Sequence, residues 1–333
     1  MLLARRAATT ARTEHHHMRR SRMVTTTLAT RIDALVAPLP GVTGVVVWRP
    51  EAEAPLLARE AERTFALASV VKLPLLLETL RRAERGALDL DERVSLDETG
   101  RVAGSGVLHL LDAGLTPTLR DLLRLALVVS DNMATDALFA RVAPREVEAA
   151  MHALGYPSLR VPHTIAAMLR SCAGLDDRAG YAAMRARFAD AASARPSDPD
   201  GASPTRGDRA TPLDVARMLV DLHAGRVLGE PWRTLALTIL GDCQTNGRIP
   251  ARLPEGTRVA HKTGTLRGRT NDVGIVTTPS GPVVLALFQE GEPSERSASA
   301  VLADVALAVY ELMSAPPSSA PPSSSRGEGA SSG

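Results

Sequence analysis

In the stretch LASVVKLP, residues 67–74, Ser69 and Lys72 stand three apart. At the start of a helix that spacing puts both side chains on one face, within reach of each other. A serine hydroxyl is a weak nucleophile and needs an adjacent base. Arginine cannot be that base because it stays protonated, whereas a lysine amine loses its proton readily once buried or set beside another cation. The choice of lysine is informative here. Of 39 basic residues, 37 are arginine and only two, Lys72 and Lys262, are lysine.

Two further stretches could serve the same chemistry. VVSDNMATD holds Ser130, Asp131 and Asn132. Alone, Ser130 or Asp131 is a good cap for the helix that follows; with a nucleophile nearby, Ser130 becomes a proton relay and Asn132 an amide donor to a bound acyl group. VAHKTGTLRG puts Lys262 at the end of a strand, followed by Thr263 and Gly264. A strand edge offers backbone N–H groups to a ligand, and a glycine lets that ligand come close.

Hydrophobic periodicity supplies the elements that must hold these residues. Residues 27–38 read as an amphipathic helix, and GVTGVVVWRP and APLLAREAERTFALAS as two strands. From Val70 to about Gly241 the period is helical. TRVAHKTG, TNDVGIVTTP and PVVLALFQE then read as three strands, and SERSASAVLADVALAVYELM as a closing helix. Strands from both chain ends thus flank a helical insertion. The expected fold is α/β of the α+β type: one antiparallel five-stranded sheet built from both ends, terminal helices flanking it, and an all-helical lobe inserted between strands. The expected catalytic domain spans 26–313, with the helical lobe at about 70–241. Residues 1–25 and the Ser/Pro-rich segment 314–333 read as disordered tails.

Together the three stretches resemble the signatures of the penicillin-recognising serine enzymes, the class A β-lactamases among them. The two lysines of the chain fall on the two lysine positions of that pattern. GSGVLHLLDAGLTPTLRDLLRLALVVSDNMATDALF, ATPLDVARMLVDLHAGRVL and NGRIPARLPEGTRVAHKTGTLRGRTNDVGIVTTPSGPVVLALF extend the likeness, which covers roughly residues 27–313 apart from one window. The resemblance implies that Ser69 is the acylated nucleophile and Lys72 its base or proton shuttle. It further implies that Ser130 passes a proton to the leaving nitrogen and that Asn132 holds the substrate amide. Lys262, Thr263 and Arg248 would bind the substrate carboxylate, with Gly264 beside them. The backbone N–H groups of Ser69 and Thr265 would form the oxyanion hole. No cofactor and no metal are implied.

The departure lies between the second and third signatures. The resemblance calls for a glutamate, in a Glu-x-x-x-Asn pattern, that positions the deacylating water. This chain has no glutamate between Glu148 and Glu230. The window offers Asp176, Asp177, Asp190, Asp198, Asp200 and Asp208; the last three fall in a Pro/Ser/Gly-rich stretch that reads as loop, RGD at 206–208 included. Asp176, Asp177 and Asp190 are the candidates to activate the water. The expectation is a serine hydrolase with β-lactams as small-molecule substrates and weak turnover. The alternatives are an esterase or amidase of the same fold, or a penicillin-binding-like module that stays acylated.

The bulk numbers narrow the partners. A net charge of +2, with the arginines spread along the chain, gives no footprint for nucleic acid. No window is read as the roughly 18 apolar residues that span a membrane. The first 27 residues lack the apolar core of a secretory signal, so a cytoplasmic monomer is expected, secreted if Met18 or Met23 marks a different start. Cys172 and Cys243 are expected as free thiols, and His15, His16 and His17 as part of a tail rather than a metal site.

Overall fold

A computed structural model describes residues 25–189, 207–291 and 294–314. The expected tails, apart from residues 25 and 314, and His15–His17, Asp190, Asp198 and Asp200 fall outside the described residues. The chain opens with helix α1 (25–36) and strands β1 (Val42–Trp48) and β2 (Leu57–Arg59). It closes with β5 (Val259–Leu266), β6 (Arg269–Thr278), β7 (Gly281–Glu290) and helix α10 (Glu295–Ser314). These strands form one sheet in the order β2-β1-β7-β6-β5, antiparallel at every pairing, as expected.

Alternation along the strands sorts the core into two layers. Val45 and Val47 of β1 join Val283, Leu285 and Leu287 of β7 on one face, against Leu28, Ile32 and Val36 of α1 and Leu302, Val305 and Val309 of α10. The helix positions recur at steps of three and four, which is one helical stripe. Val46, Trp48, Val284, Ala286 and Phe288 face the other way, into the helical lobe. A sheet covered on both faces is read as continuous apolar runs, hence VVVW and VVLALF.

The lobe contains α2 (Lys72–Glu84), α3 (Leu119–Val128), α4 (Asn132–Phe139), α5 (Pro144–Ala153), α6 (Ile165–Ala173), α7 (Tyr181–Ala189), α8 (Pro212–His223) and α9 (Trp232–Gly241). Helix α3 starts on a capping box in which Thr118 and Asp121 satisfy each other's backbone N–H groups.

The structure corrects four expectations. The second strand is not one piece. A turn with Glu60 at φ +47° and an Arg63 N–H bond to Glu60 O splits it into β2 and a short β3 (Phe65–Ala66), which leaves the main sheet. Strand β3 pairs instead with β4 (Arg209–Ala210), inside the stretch expected to be helical. Asp208, expected in an open loop, is buried, and its carbonyl accepts the Leu67 N–H at 2.9 Å. Finally, α10 is long and apolar enough to cross a membrane by length and composition, contrary to the expectation of no such window. Its apolar stripe is already packed against the sheet.

Candidate active site

Ser69 lies in a short 3₁₀ turn, Ala68–Val71, that runs directly into α2. The turn is held from two sides. Leu67 N–H bonds to Asp208 O, and the Asn271 side chain on β6 donates to Ala66 O at 2.8 Å and Leu67 O at 3.2 Å. Between these clamps Ala68 sits at φ +49°, a left-handed conformation that costs free energy for a residue with a Cβ and persists only where the surroundings impose it. Strand β5 passes close by. A Cβ on Gly264 would lie 2.5 Å from Leu67 O, so only glycine lets the strand edge approach the serine turn this tightly.

Lys72 is the first residue of α2 and is fully buried. Its Nζ donates to Ser130 O at 2.6 Å and to Asn132 Oδ1 at 2.9 Å, and is 3.0 Å from Ser130 Oγ. Burial, reinforced by the charge of Lys262, lowers its pKa well below that of a free lysine, although Asp131 and Asp136 pull the other way. Lys262 approaches from β5, also buried, with Nζ 3.1 Å from Ser130 Oγ and 2.8 Å from Thr263 O. Burial lowers its pKa to about 8, with Cys243 and Asp272 opposing that shift. The only two lysines of the chain therefore meet on one oxygen atom, the hydroxyl of Ser130.

That hydroxyl is carried by a strained residue as well, Ser130 at φ +56°, between α3 and α4. Asp131 next to it is wholly buried and works as a clamp. One carboxylate oxygen caps α4 at Ala134 N, and the other accepts Val107 and Leu108 N–H, drawing in the loop before them. Asn132 is oriented by Lys72 on its oxygen and by Ala103 O on its nitrogen.

The structure gives Arg248 a different setting from the carboxylate site that the sequence resemblance implies. Its guanidinium is 2% exposed, and all five N–H donors are committed within the protein. Nε bonds to Ser299, Nη1 to Gly264 O and Asn271 O, and Nη2 to Thr265 Oγ1 and Glu295. The side chain thus fixes the β5 edge at Gly264 and Thr265 and ties it to α10.

The described parts of the window without glutamate fold beside the serine turn. A cavity of about 550 Å³ is lined by Ala68 and Leu266 together with His163, Asp177 and Asp208. Of the expected carboxylates, Asp176 and Asp177 are both exposed; Asp177 is on this cavity, and Asp176 accepts Arg178 N–H at 2.8 Å. Asp208 and His163 were not singled out from the sequence. The Asp208 signal was hidden because RGD in a polar stretch is indistinguishable from open loop until β3 and β4 pair. The clamp residue Asn271 was missed too, because it stands in the polar run Arg269–Asp272, where an amide draws no notice.

The family model of the beta-lactamase enzyme family matches residues 27–313 of this chain. The chain belongs to that family. Among its β-lactamase relatives, the extended-spectrum enzyme PER-1 of Pseudomonas aeruginosa is 26% identical over 302 residues, covering 86% of this chain and 87% of the relative. The β-lactamase regulatory protein BlaB of Streptomyces cacaoi is 28% identical over 295 residues, covering 80% of this chain and 91% of the relative. A solved β-lactamase from Sphaerobacter thermophilus superposes with a TM-score of 0.72 at 29% identity, covering 87% of this chain and 98% of that one.

Proposed function

We propose that this β-lactamase family member opens the amide of a β-lactam by forming an ester on Ser69, and that it releases the ester slowly. The observation that carries the proposal is the shared Ser130 hydroxyl. An oxygen that accepts from two amines has no lone pair left, and its own proton must point elsewhere. When Lys72 is neutral the same bond reverses, and Ser130 gives its proton to the amine. That single hydroxyl is therefore a switch between Lys72 and the nitrogen that leaves the opened ring.

The steps follow from this. Neutral Lys72 takes the Ser69 proton as Oγ attacks the carbonyl, and the developing oxyanion is held by the N–H groups of Ser69 and Thr265. Lys72 returns the proton through Ser130 to the departing nitrogen. Asn132 orients the acyl amide, and protonated Lys262 with Thr263 attracts the substrate carboxylate. Arg248 acts through Thr265, whose hydroxyl it holds at 2.6 Å.

Hydrolysis of the ester needs an activated water. His163 and Asp177 line the cavity beside Ala68 and are placed to take its proton. A loop glutamate is absent, and general-base assistance is worth about 10²–10⁴-fold. Rapid mixing with a chromogenic cephalosporin is expected to give one burst of ring opening per enzyme, then a slow steady rate. Fast linear turnover with no burst would refute slow release. The relative described as a regulatory protein supports a second reading, in which the ester persists and the acylated chain is a signal; a steady rate of zero after the burst would select it.

The two lysines also set a pH profile. Acylation needs Lys72 neutral, so its rate falls at low pH as that amine protonates. Binding an anionic substrate needs Lys262 charged, so efficiency falls as pH rises through about 8. The expected profile for an anionic β-lactam is a bell, measured as acylation rate over substrate concentration. An uncharged ester should lack the alkaline limb; an identical limb for both substrates would remove Lys262 from carboxylate binding.

A further inference from the structure

Helix α6 ends on Gly174, whose left-handed φ of +64° turns the chain back. The Gly174 and Leu175 N–H groups close on Arg170 O. Asp176 tightens the return, accepting the Arg178 N–H on its side chain and the Ala179 N–H on its carbonyl. The reversal lays Ala179 O 2.8 Å from Arg170 Nε, which fixes the root of that guanidinium. The other end of α6 is fixed as well, since Asp136 accepts the Ile165 and Ala166 N–H groups. Arg170 and Asp177 are thereby brought to the same cavity of about 550 Å³. Nη1 and Nη2 of Arg170 and the carboxylate of Asp177 meet no hydrogen-bond or ion-pair partner among the described residues. Opposite charges that share a cavity without pairing leave room for a ligand between them. His163 and Asp208 on the same cavity are engaged within the chain. Pro162 and Met168 add apolar lining, and Ala68 and Leu266 set the cavity next to Ser69 and Thr265.

We propose that this cavity receives the acyl side chain of the β-lactam and selects one that ends in an α-amino acid, its carboxylate on Arg170 and its ammonium on Asp177. Selection of this kind presupposes acylation at Ser69 and names the substrate class for it. A guanidinium takes a carboxylate through two parallel N–H bonds, and with Nε committed to Ala179 O the Nη1 and Nη2 pair still offers that geometry. Arg170 is half-buried, so water competes only in part for this contact. Asp177 is exposed, so its pair with the ammonium is the weaker of the two. A wholly apolar side chain would cover the charges without replacing their water, a penalty that separates one substrate from another. Arg170 takes no part in the steps at Ser69, Lys72 and Ser130, so its removal reports on selection alone.

Three penicillins separate the charges: one with an α-aminoadipyl side chain, the same compound N-acetylated, and benzylpenicillin. Acylation of the full chain is followed by intact-protein mass spectrometry as rate over concentration, a step that precedes release of the ester. The zwitterionic penicillin is expected to acylate about tenfold faster than benzylpenicillin, the scale of one hydrogen-bonded charge, with the N-acetylated compound between them. Arg170→Gln should erase that advantage and leave the benzylpenicillin rate unchanged. No preference in the wild-type chain, a preference that survives Arg170→Gln, or an equal slowing of all three by the variant would overturn the proposal. An N-acetylated compound as fast as its parent would overturn the part given to Asp177. If no penicillin acylates Ser69, the acylation reading itself fails, and calorimetric titration of Ser69→Ala decides the subsite on its own. There the zwitterionic penicillin must bind about tenfold more tightly than benzylpenicillin; equal affinities would overturn the subsite as well.

Discussion

Replacing Lys72 by arginine is expected to lower the rate at which Ser69 is acylated by about 10²–10⁴-fold, the usual worth of a general base. The substitution keeps the positive charge and the hydrogen-bond donors, so a purely structural or charge-holding lysine would tolerate it. It removes the one property arginine lacks, a neutral form at accessible pH. Lys72 is fully buried and its pKa is lowered well below normal, chiefly by that burial, so the amine is poised to shed its proton. In the variant Ser130 would face, in place of Lys72, a guanidinium that never sheds its proton, and the path from Ser69 through that position would be closed. The measurement is the rate of adduct formation with a penicillin, alongside circular dichroism to establish folding. A folded variant that acylates at the wild-type rate would remove Lys72 from the proton path.

Arg248→Ala should cost about 3 kcal/mol of stability, the scale for stripping one partner from a buried charged network. Five hydrogen bonds vanish together. The carbonyls of Gly264 and Asn271 lose a charged donor deep in the structure, and Glu295 loses its ion-pair partner. Glu295 retains some solvent contact, which keeps the figure from rising further. Thermal unfolding reads this out as a fall in midpoint. The same variant should acylate more slowly, because the Gly264–Thr265 edge is no longer pinned against the serine turn. A variant with an unchanged midpoint would show that the guanidinium is held loosely and is available to a substrate.

The sheet, its flanking helices and the three signature stretches were legible because each rests on a local rule. Continuous apolar runs such as VVLALF and period-3.6 stripes such as Leu302, Val305 and Val309 are written in neighbouring residues. The identity of the two lysines was legible because this chain uses arginine everywhere else. What could not be read depends on pairings between distant residues. The β3–β4 pair joins Phe65 to Ala210, so the burial of Asp208 has no signature within its own stretch. The closure of Arg248 by Ser299 and Glu295 requires α10 to return past β5, which no spacing announces. The buried His261–Asp272 pair is likewise assembled across two adjacent strands, and in sequence it reads as two ordinary strand residues.

Whether Ser69 is acylated readily and freed slowly can be read from intact-protein mass spectrometry over time after adding a penicillin. The expected result is a gain equal to the mass of the whole penicillin, carried on the peptide containing Ser69, absent in Ser69→Ala, and persisting long after free penicillin is removed. Rapid consumption of the penicillin with no adduct at any time, or the same adduct on Ser69→Ala, would contradict it.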